Sequence, residues 1–357
     1  MTADHHAALE RAIALVAPGR PLREGLDRIV RAGMGALIIV GDGPEVLDVC
    51  SGGFELDAVF SPQRLSEIAK MDGAVILSND LRRIMRANVH LVPDPNLPTS
   101  ETGTRHRTAE RVARSLNLPV ISVSERMTTI TIYLGTEKYP LDPLPRVQAR
   151  ANQALSALER YRNRHDTILA ALSALEVQDL VTIRDVASAL QRAEMVVRIA
   201  DEVEGYVLEL GTDGRMIRLQ LVELVRGVAE ARNLVVRDYV RDDPDWSVDD
   251  ALGVLSNLET DRLVDLDAVA ATLRLGSDVD DLDTPLAARG YRMLSRIRRF
   301  PRPMADRVVA HFQLLSKLLA ASPQELEEVE GMGALRARNV ASALGRLAQS
   351  SVAERYG

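Results

Sequence analysis

One short stretch of the chain concentrates groups that can hold phosphate. In Gly103-Thr104-Arg105-His106-Arg107-Thr108-Ala109 two arginines flank a histidine, two threonines enclose these three residues, and a glycine precedes them. Prolines punctuate the approach, and the chain then runs to Leu116 without glycine or proline, which predicts a loop that enters a helix. Free N–H groups at a helix N-terminus favour anions, and guanidinium groups match phosphate oxygens. The stretch therefore predicts a polyphosphate site, with an ordinary basic surface run as the alternative.

A second segment, some thirty residues upstream, supplies an acid. Asp72 and Gly73 stand directly before a short apolar run that starts at Ala74 and is typical of a buried strand. A carboxylate at a strand end can hold a divalent metal or accept a proton. The alternative for Asp72 is a turn residue before the strand. Together the two segments offer an acid, a flexible backbone and a phosphate clamp.

The two segments carry a family resemblance. Asp72-Gly73-Ala74 together with Arg105-His106-Arg107 resembles the paired signature of diadenylate cyclase domains, and the surrounding residues 60–74 and 98–111 agree with it. The resemblance is close over residues 1–140, and the middle of the chain matches only in general character. A diadenylate cyclase joins two ATP molecules into cyclic di-AMP and releases two pyrophosphates, so the resemblance implies a nucleotidyltransferase.

The resemblance also implies roles for particular residues. Asp72 would bind Mg²⁺ or Mn²⁺ and assist deprotonation of the 3′-hydroxyl, and the catalytic positions are Asp72, Arg105, His106 and Arg107. The ATP-binding positions are Gly73, Leu91, Thr104, Thr108 and Ser124. One such site holds one ATP, so two cyclase domains must face each other and the protein must be a homo-oligomer. The family resemblance suggests an octamer.

Length and composition limit the class of protein. A chain of 357 residues predicts two or three domains, and a hydrophobic content of 46% is that of a globular protein. Cys50 is the single cysteine, which excludes an intrachain disulfide and favours a reducing compartment. The N-terminus lacks the apolar core of a signal peptide, and the run 36–40 is too short to span a bilayer. We expect a cytoplasmic protein without a membrane segment.

The pattern of apolar residues divides the chain into three predicted domains. Residues 1–142 alternate strands and helices, which favours an α/β cyclase domain with a central mixed sheet. Its expected helices span 4–17, 22–32 and 62–70, and its expected strands span 36–40, 46–49, 74–78, 88–92, 119–123 and 129–134. Residues 143–284 predict an all-α helical spine, with helices at 146–175, 182–205 and 216–232. Residues 285–357 form the third predicted domain.

The third predicted domain contains a helix, a glycine turn and a second helix. Ser322 is the expected N-cap of a helix over 323–330, Gly331-Met332-Gly333 is the turn, and a second helix covers 334–347. The frame resembles a helix-hairpin-helix motif, in which glycines let the backbone approach a DNA phosphate. Residues 294–312 repeat the frame with prolines in place of the glycines. The DNA-binding candidates are Gly331, Gly333, Arg336, Arg338, Arg298, Arg299 and Arg302.

Charge supports a polyanion partner for this end of the chain. Residues 241–284 hold 3 arginines and 13 acidic residues, whereas residues 285–357 hold 12 basic and 6 acidic residues. The basic run, made of arginines 289, 292, 296, 298, 299 and 302, favours a DNA backbone over the alternative of a helical protein-interaction unit.

The favoured function is a metal-dependent diadenylate cyclase whose activity is inhibited by branched DNA. The main alternative is a non-catalytic nucleotide-binding scaffold protein that binds DNA. A different nucleotidyltransferase or an ATPase is a further alternative, although no G-x-x-x-x-G-K-[ST] loop occurs. Zinc is disfavoured, because one cysteine and scattered histidines give no ligand spacing.

Overall fold

A computed structural model describes residues 3–240, 243–274 and 282–356. By its contacts the chain divides into two compact units, one of Met1–Gln153 with Glu204–Leu219 and the other of Ala154–Val203 with Gln220–Gly357. The borders of these units fall inside helices, whereas the sequence-based borders at residues 142 and 284 follow changes in composition.

A mixed sheet forms the centre of the first unit. Its strands are β1 (Ala36–Val40), β2 (Cys50–Ser51), β3 (Phe54–Val59), β4 (Ala74–Leu77), β5 (Arg83–Leu91), β6 (Val120–Val123), β7 (Ile130–Leu134) and β8 (Glu137–Pro140). The order along the sheet is β2-β5-β4-β1-β6-β7-β8, and β3 pairs with β5. β1 and β4 are parallel, and the other pairs among the described residues are antiparallel. The predicted mixed sheet is confirmed.

Helices cover both faces of the sheet. They are α1 (Ala3–Leu15), α2 (Pro21–Arg31), α3 (Pro44–Asp48), α4 (Pro62–Ile68) and α5 (Thr104–Leu116). Successive β1 side chains alternate between the faces, as the period of a strand requires. Ile38 packs with residues of α1, α2 and α4, whereas Leu37 and Ile39 pack with residues of α5. All five β1 residues are buried for this reason.

The prediction of a strand at 46–49 is wrong. These residues belong to α3 and the turn that follows it, because Pro44 at the first helical position has the φ that starts a helix. Val46 is fully buried in this helix, and an apolar residue at a buried position can be mistaken for part of a strand. Strands β2, β3 and β8 were not predicted, and most of their residues are exposed or half-buried, so they lack a run of apolar residues.

The described chain beyond the sheet is mainly helical, and most of these helices belong to the second unit. The helices that follow the sheet are α6 (Leu144–Gln178), α7 (Ile183–Leu210), α8 (Arg215–Val225), α9 (Val228–Tyr239), α10 (Val248–Asn257), α11 (Thr260–Leu263), α12 (Leu266–Ala271), α13 (Tyr291–Ser295), α14 (Arg302–Phe312), α15 (Leu315–Ala320), α16 (Pro323–Glu327) and α17 (Ala334–Tyr356). A short 3₁₀ helix, Gly211–Gly214, connects α7 to α8. The single helix predicted at 216–232 is divided at Gly227, whose φ of 77° is left-handed.

The end of the chain forms the predicted helix, turn and helix. The Ser322 side chain accepts a hydrogen bond from the Glu325 N–H, and the Glu325 carboxylate accepts one from the Ser322 N–H, which makes a capping box at the start of α16. Leu326 and Ala337 are fully buried on either side of the glycine turn. No described helix is both long enough and apolar enough to cross a membrane.

Candidate active site

A cavity of about 510 Å³ opens at one edge of the sheet in the first unit. It lies at the amino ends of β1 and β4, at the carboxyl ends of β5 and β6, and against the first turn of α5. The sequence-predicted residues that line it are Gly73, Leu91, Thr104, Arg105, His106, Thr108 and Ser124. The fold thus brings together residues from four separate segments of the chain.

Asp72 and Arg107 are the predicted residues that do not line this cavity. Asp72 is exposed and directly precedes the lining residue Gly73. Arg107 is exposed one residue beyond His106, because a one-residue step turns a helical side chain away from its neighbour. The structure describes no group of three or more His, Cys, Asp or Glu that could hold a metal. A cation here would need phosphate oxygens of the bound molecule among its ligands, which is how Mg²⁺ is often bound.

Gly73 is required by the backbone around it. Its φ is 94°, and a Cβ atom at this position would lie 2.8 Å from the Asn88 carbonyl carbon and 2.9 Å from the Val89 carbonyl oxygen. Those are backbone atoms of β5, which cannot move aside without disturbing the sheet. The absence of a side chain at Gly73 therefore lets the backbone of this segment lie close to the backbone of β5.

The Arg105 side chain rests against a glycine that sequence reasoning missed. Arg105 is the second residue of α5, after the N-cap Gly103. A Cβ atom on Gly35, just before β1, would lie 2.0 Å from the Arg105 Nη1 atom and 2.5 Å from its Cζ atom. Gly35 thus leaves the space that the guanidinium group fills.

His106 is connected to a hydrogen-bonded series of polar groups that begins at the buried Tyr133 and ends at the exposed Lys138. Its Nδ1 atom is 3.0 Å from the Tyr133 hydroxyl, and that hydroxyl donates a 2.8 Å hydrogen bond to the Glu101 carboxylate. The Lys138 ammonium is 2.5 Å from the same carboxylate oxygen. Burial lowers the pKa of His106, against the opposing effect of the Glu101 charge. His106 is therefore neutral at pH 7.

The carboxylate of Glu101 is ionised. Burial acts to raise the pKa of Glu101, but hydrogen bonds from Lys138 and Tyr133 outweigh it and leave that pKa below its ordinary value. The pKa of Tyr133 is raised, first by burial and then by its hydrogen bond to Glu101, so its hydroxyl keeps the proton. Sequence reasoning assigned no role to Glu101, Tyr133 or Lys138. Glu101 lies within the stretch 98–111 that carries the family resemblance, whereas Tyr133 and Lys138 belong to other segments and to no motif.

A buried carboxylate, that of Glu110, fastens the loop before α5. Glu110 accepts hydrogen bonds from the Thr99 hydroxyl at 2.6 Å and from the Ser100 N–H at 2.9 Å, and it pairs with Arg114 at 2.9 Å. Burial acts to raise the pKa of Glu110, but the bonds from Thr99 and Arg114 lower it below its ordinary value. The loop that carries Glu101 is thereby held on α5.

The DNA-binding candidates lie in the second unit and are largely exposed. Gly331 has a φ of 81°, and a Cβ on Gly333 would meet open space. The Arg336 guanidinium donates to the Gly331 carbonyl at 3.2 Å, and that of Arg338 donates to the Ala334 carbonyl at 3.3 Å. Arg298 and Arg299 are exposed, and Arg302 pairs with Glu230 at 2.9 Å.

Part of the basic run has a structural role, and Arg292 belongs to this part. This side chain is buried, pairs with Glu176 at 2.6 Å and donates to the Leu169 carbonyl. Arg289 donates to the Val240 carbonyl at 2.6 Å. Composition alone could not separate these arginines from the exposed ones, because their partners are distant in sequence.

Comparisons with known proteins identify the family to which the chain belongs. Residues 23–138 match the family model "DisA bacterial checkpoint controller nucleotide-binding", and residues 141–282 match "DisA bacterial checkpoint controller linker region". DNA integrity scanning protein DisA of Frankia casuarinae is 53% identical over 96% of this chain and 96% of its own. The proteins of that name from Acidothermus cellulolyticus and Streptomyces coelicolor are 50% and 48% identical over 98% of this chain, and 95% and 94% of theirs. With this identity over nearly its whole length, the chain belongs to the family of DNA integrity scanning protein DisA.

Proposed function

We propose that this protein is a diadenylate cyclase, which condenses two ATP molecules into cyclic di-AMP and releases two pyrophosphates. The observation that carries the proposal is the cavity in which the first turn of α5, Arg105 and Gly73 meet at the sheet edge. Its N–H and guanidinium donors suit a triphosphate. Its volume of about 510 Å³ falls in the range of small-molecule sites. Membership of a family whose model is described as nucleotide-binding supports it.

Each residue has a part in this reaction. Arg105 holds the triphosphate inside the cavity, and Arg107 adds positive charge from its exposed position on α5. Thr104, Thr108 and Ser124 supply hydroxyl donors, and the Leu91 backbone contacts adenine. Asp72, which directly precedes the lining residue Gly73, would hold Mg²⁺ or Mn²⁺ and would assist loss of the proton from the attacking 3′-hydroxyl. The metal would supply charge neutralisation at the phosphates.

The reaction requires two copies of the chain. Each 3′-hydroxyl attacks the α-phosphate of the other nucleotide, and one cavity holds one nucleotide, so two cavities must face each other. Apolar side chains beside the lining residues support such an association. Met71, Val92 and Met127 are 38%, 57% and 74% exposed, and each lies within two residues of a lining residue. We propose a homo-oligomer built from such facing pairs, with eight copies as the family resemblance suggests.

The first test is incubation of the purified protein with ATP and either Mg²⁺ or Mn²⁺, with products identified by mass spectrometry. We expect cyclic di-AMP from the wild type and none from Asp72→Asn. Asp48→Asn, at the end of α3 and away from the cavity lining, is the control and should behave as wild type. ATP binding without product in the wild type would favour the alternative of a non-catalytic nucleotide-binding DNA scaffold.

We further propose that the C-terminal helices bind DNA through its backbone. A groove of about 510 Å³ lies between the segment before α14 and the side of α17. Arg296, Arg298 and Arg346 line it, together with Asn339 and serine hydroxyls, and no acidic residue does so. Guanidinium groups without nearby carboxylates favour phosphate. Backbone contacts of this kind position DNA and do not read its sequence.

Branched DNA is the expected regulator. We propose that its binding inhibits cyclic di-AMP formation, which couples DNA integrity to the level of the product. The measurement is turnover of ATP with and without a saturating four-way junction, with linear duplex of equal length as control. Unchanged turnover at saturation would exclude this coupling and leave the cyclase assignment intact.

A further inference from the structure

The polar groups behind His106 form a continuous hydrogen-bonded chain with one consistent direction. The Lys138 ammonium can only donate, and the Glu101 carboxylate can only accept. The Tyr133 hydroxyl donates its single proton to Glu101 at 2.8 Å. It must therefore act as the acceptor in its 3.0 Å contact with His106. The donor in that contact is the Nδ1–H of the imidazole ring.

This direction fixes the state of the other ring nitrogen. A neutral imidazole carries one proton, so a proton on Nδ1 leaves a lone pair on Nε2. Among the described residues no hydrogen bond to Nε2 is found, and Nε2 is absent from the buried unpaired atoms. Nε2 is therefore accessible, and His106 is a lining residue of the cavity.

We propose that Tyr133, Glu101 and Lys138 are positioning residues that hold His106 neutral with its proton on Nδ1, so that Nε2 is a hydrogen-bond acceptor for a hydroxyl or water proton at the nucleotide site. The inference rests on the proposed cyclase function, because it assigns what His106 does in that cavity. In this state His106 cannot donate a hydrogen bond to a phosphate oxygen, because its one N–H is directed to Tyr133.

An acceptor at His106 Nε2 differs from the hydrogen-bond donors that line the same cavity. Arg105, Arg126 and the first-turn N–H groups of α5 are donors only, and they suit the anionic part of a nucleotide. The groups that act on His106 are Glu101 from the loop, Lys138 from β8, Arg105 from α5 and Tyr133 from β7. Glu125 is the acidic residue that lines the cavity itself.

Tyr133→Phe tests the proposal directly. It removes the hydroxyl and keeps the ring that fills the core, where Tyr133 is fully buried. We expect kcat to fall about ten- to a hundredfold, as for other groups that orient a functional histidine, with KM for ATP little changed. Tyr139→Phe is the matched control, because the Tyr139 hydroxyl on β8 bonds to Glu209 outside the cavity. It should keep the wild-type kcat.

A spectroscopic measurement separates this proposal from the cyclase assignment. In protein labelled with ¹⁵N-imidazole histidine, the His106 signals are identified by their loss in His106→Gln. We expect wild type at pH 7 to show a protonated Nδ1 and an unprotonated Nε2, and Tyr133→Phe to lose this preference. Glu101→Gln keeps an acceptor for the Tyr133 hydroxyl, so it should keep the preference.

Each outcome decides one question. A proton on Nε2 in the wild type, or an unchanged tautomer and kcat in Tyr133→Phe, would overturn the positioning role. The expected tautomer in a protein that forms no cyclic di-AMP would contradict the cyclase assignment and leave the positioning role of Tyr133 intact. An equal loss of kcat in Tyr133→Phe and Tyr139→Phe would show general damage to the sheet, and the positioning role would be abandoned.

Discussion

At the scale of single residues, the candidate site depends on one contact between a glycine and an arginine. Gly35→Ala would place a methyl group 2.0 Å from the present position of the Arg105 Nη1 atom. The flexible arginine can move away, so the fold should survive while the guanidinium leaves its place. Loss of a charged hydrogen bond is worth about 1.5–3 kcal/mol, and we expect KM for ATP to rise about ten- to a hundredfold.

The control for Gly35→Ala is Gly205→Ala. Gly205 lies in α7, and a Cβ there would meet no atom within 4 Å. Steady-state kinetics and thermal unfolding of both variants are the measurements. An unchanged KM in Gly35→Ala would mean that Arg105 does not hold the triphosphate.

The charges around His106 predict opposite shifts of the pH profile. The His106 pKa is lowered mainly by burial, then raised by Glu101 and lowered by Lys138. Activity that needs the neutral ring is therefore lost as the pH falls through this pKa. Lys138→Met should move the acidic limb of the kcat profile to higher pH, and Glu101→Gln should move it to lower pH, each by up to about one unit. Shifts in the same direction would contradict this account.

The sequence could identify only part of the site. Gly73, Arg105 and His106 belong to contiguous motifs, so the sequence pattern and the family resemblance that it carries singled them out. Gly35, Tyr133 and Lys138 act through space on those residues from separate strands or their ends, and each has an ordinary neighbourhood in the sequence. A glycine before a strand and a tyrosine inside one carry no signal of the partner they will meet.

At the scale of elements, a buried aspartate connects two helices of the second unit. Asp238 in α9 accepts hydrogen bonds from the N–H groups of Gly290, Tyr291 and Arg292, at 2.7, 2.6 and 2.9 Å. These are the unpaired donors at the start of α13. Asp238 thus caps a helix that is some fifty residues away in sequence.

Asp238→Asn should weaken this connection. The amide would direct its own N–H atoms toward backbone donors, so a buried polar group would lose its partner. We expect the free energy of unfolding to fall by about 2–3 kcal/mol. Urea denaturation, monitored by circular dichroism, measures this change. Asp249→Asn, at an exposed position in the first turn of α10, should have a much smaller effect. Equal losses in the two variants would remove the special role of Asp238.

Elements could be predicted where their buried faces leave a pattern of apolar residues. The continuous apolar run Ala36–Val40, which is buried on both faces of the sheet, and the helical spacing of α6 and α7 are such patterns. β3 is largely exposed and pairs only with β5, so no apolar pattern marks it. Remote capping such as that of Asp238 has no local signature either.

At the scale of the whole molecule, the charge is uneven along the chain. Residues 285–357 are basic and follow an acidic segment, yet several of the basic side chains are engaged within the fold. The arginines free to meet DNA are therefore fewer than composition suggests. Domain borders were also less predictable than motifs, because α6 and α7 each belong to both compact units.

The exposed arginines should determine how DNA affinity depends on salt. Replacement of Arg298 and Arg299 by Ala should reduce the slope of log affinity against log salt by about two, since each neutralised phosphate contributes about one. Fluorescence anisotropy with a labelled junction at several salt concentrations measures this. Arg218→Ala, at an exposed position in α8 of the first unit, should leave the slope unchanged. A slope that did not change in the double variant would place the DNA elsewhere.

The pairing of Cys50 with Leu91 in the β2–β5 ladder gives the protein a built-in attachment point. Cys50 is the single cysteine, and Leu91 lines the cavity, so a fluorophore coupled to this thiol would sit next to the nucleotide without any engineered residue. Burial raises the pKa of the Cys50 thiol, so labelling will be slow and best done at mildly alkaline pH. Nucleotide occupancy could then be followed in real time by emission from a single dye per chain.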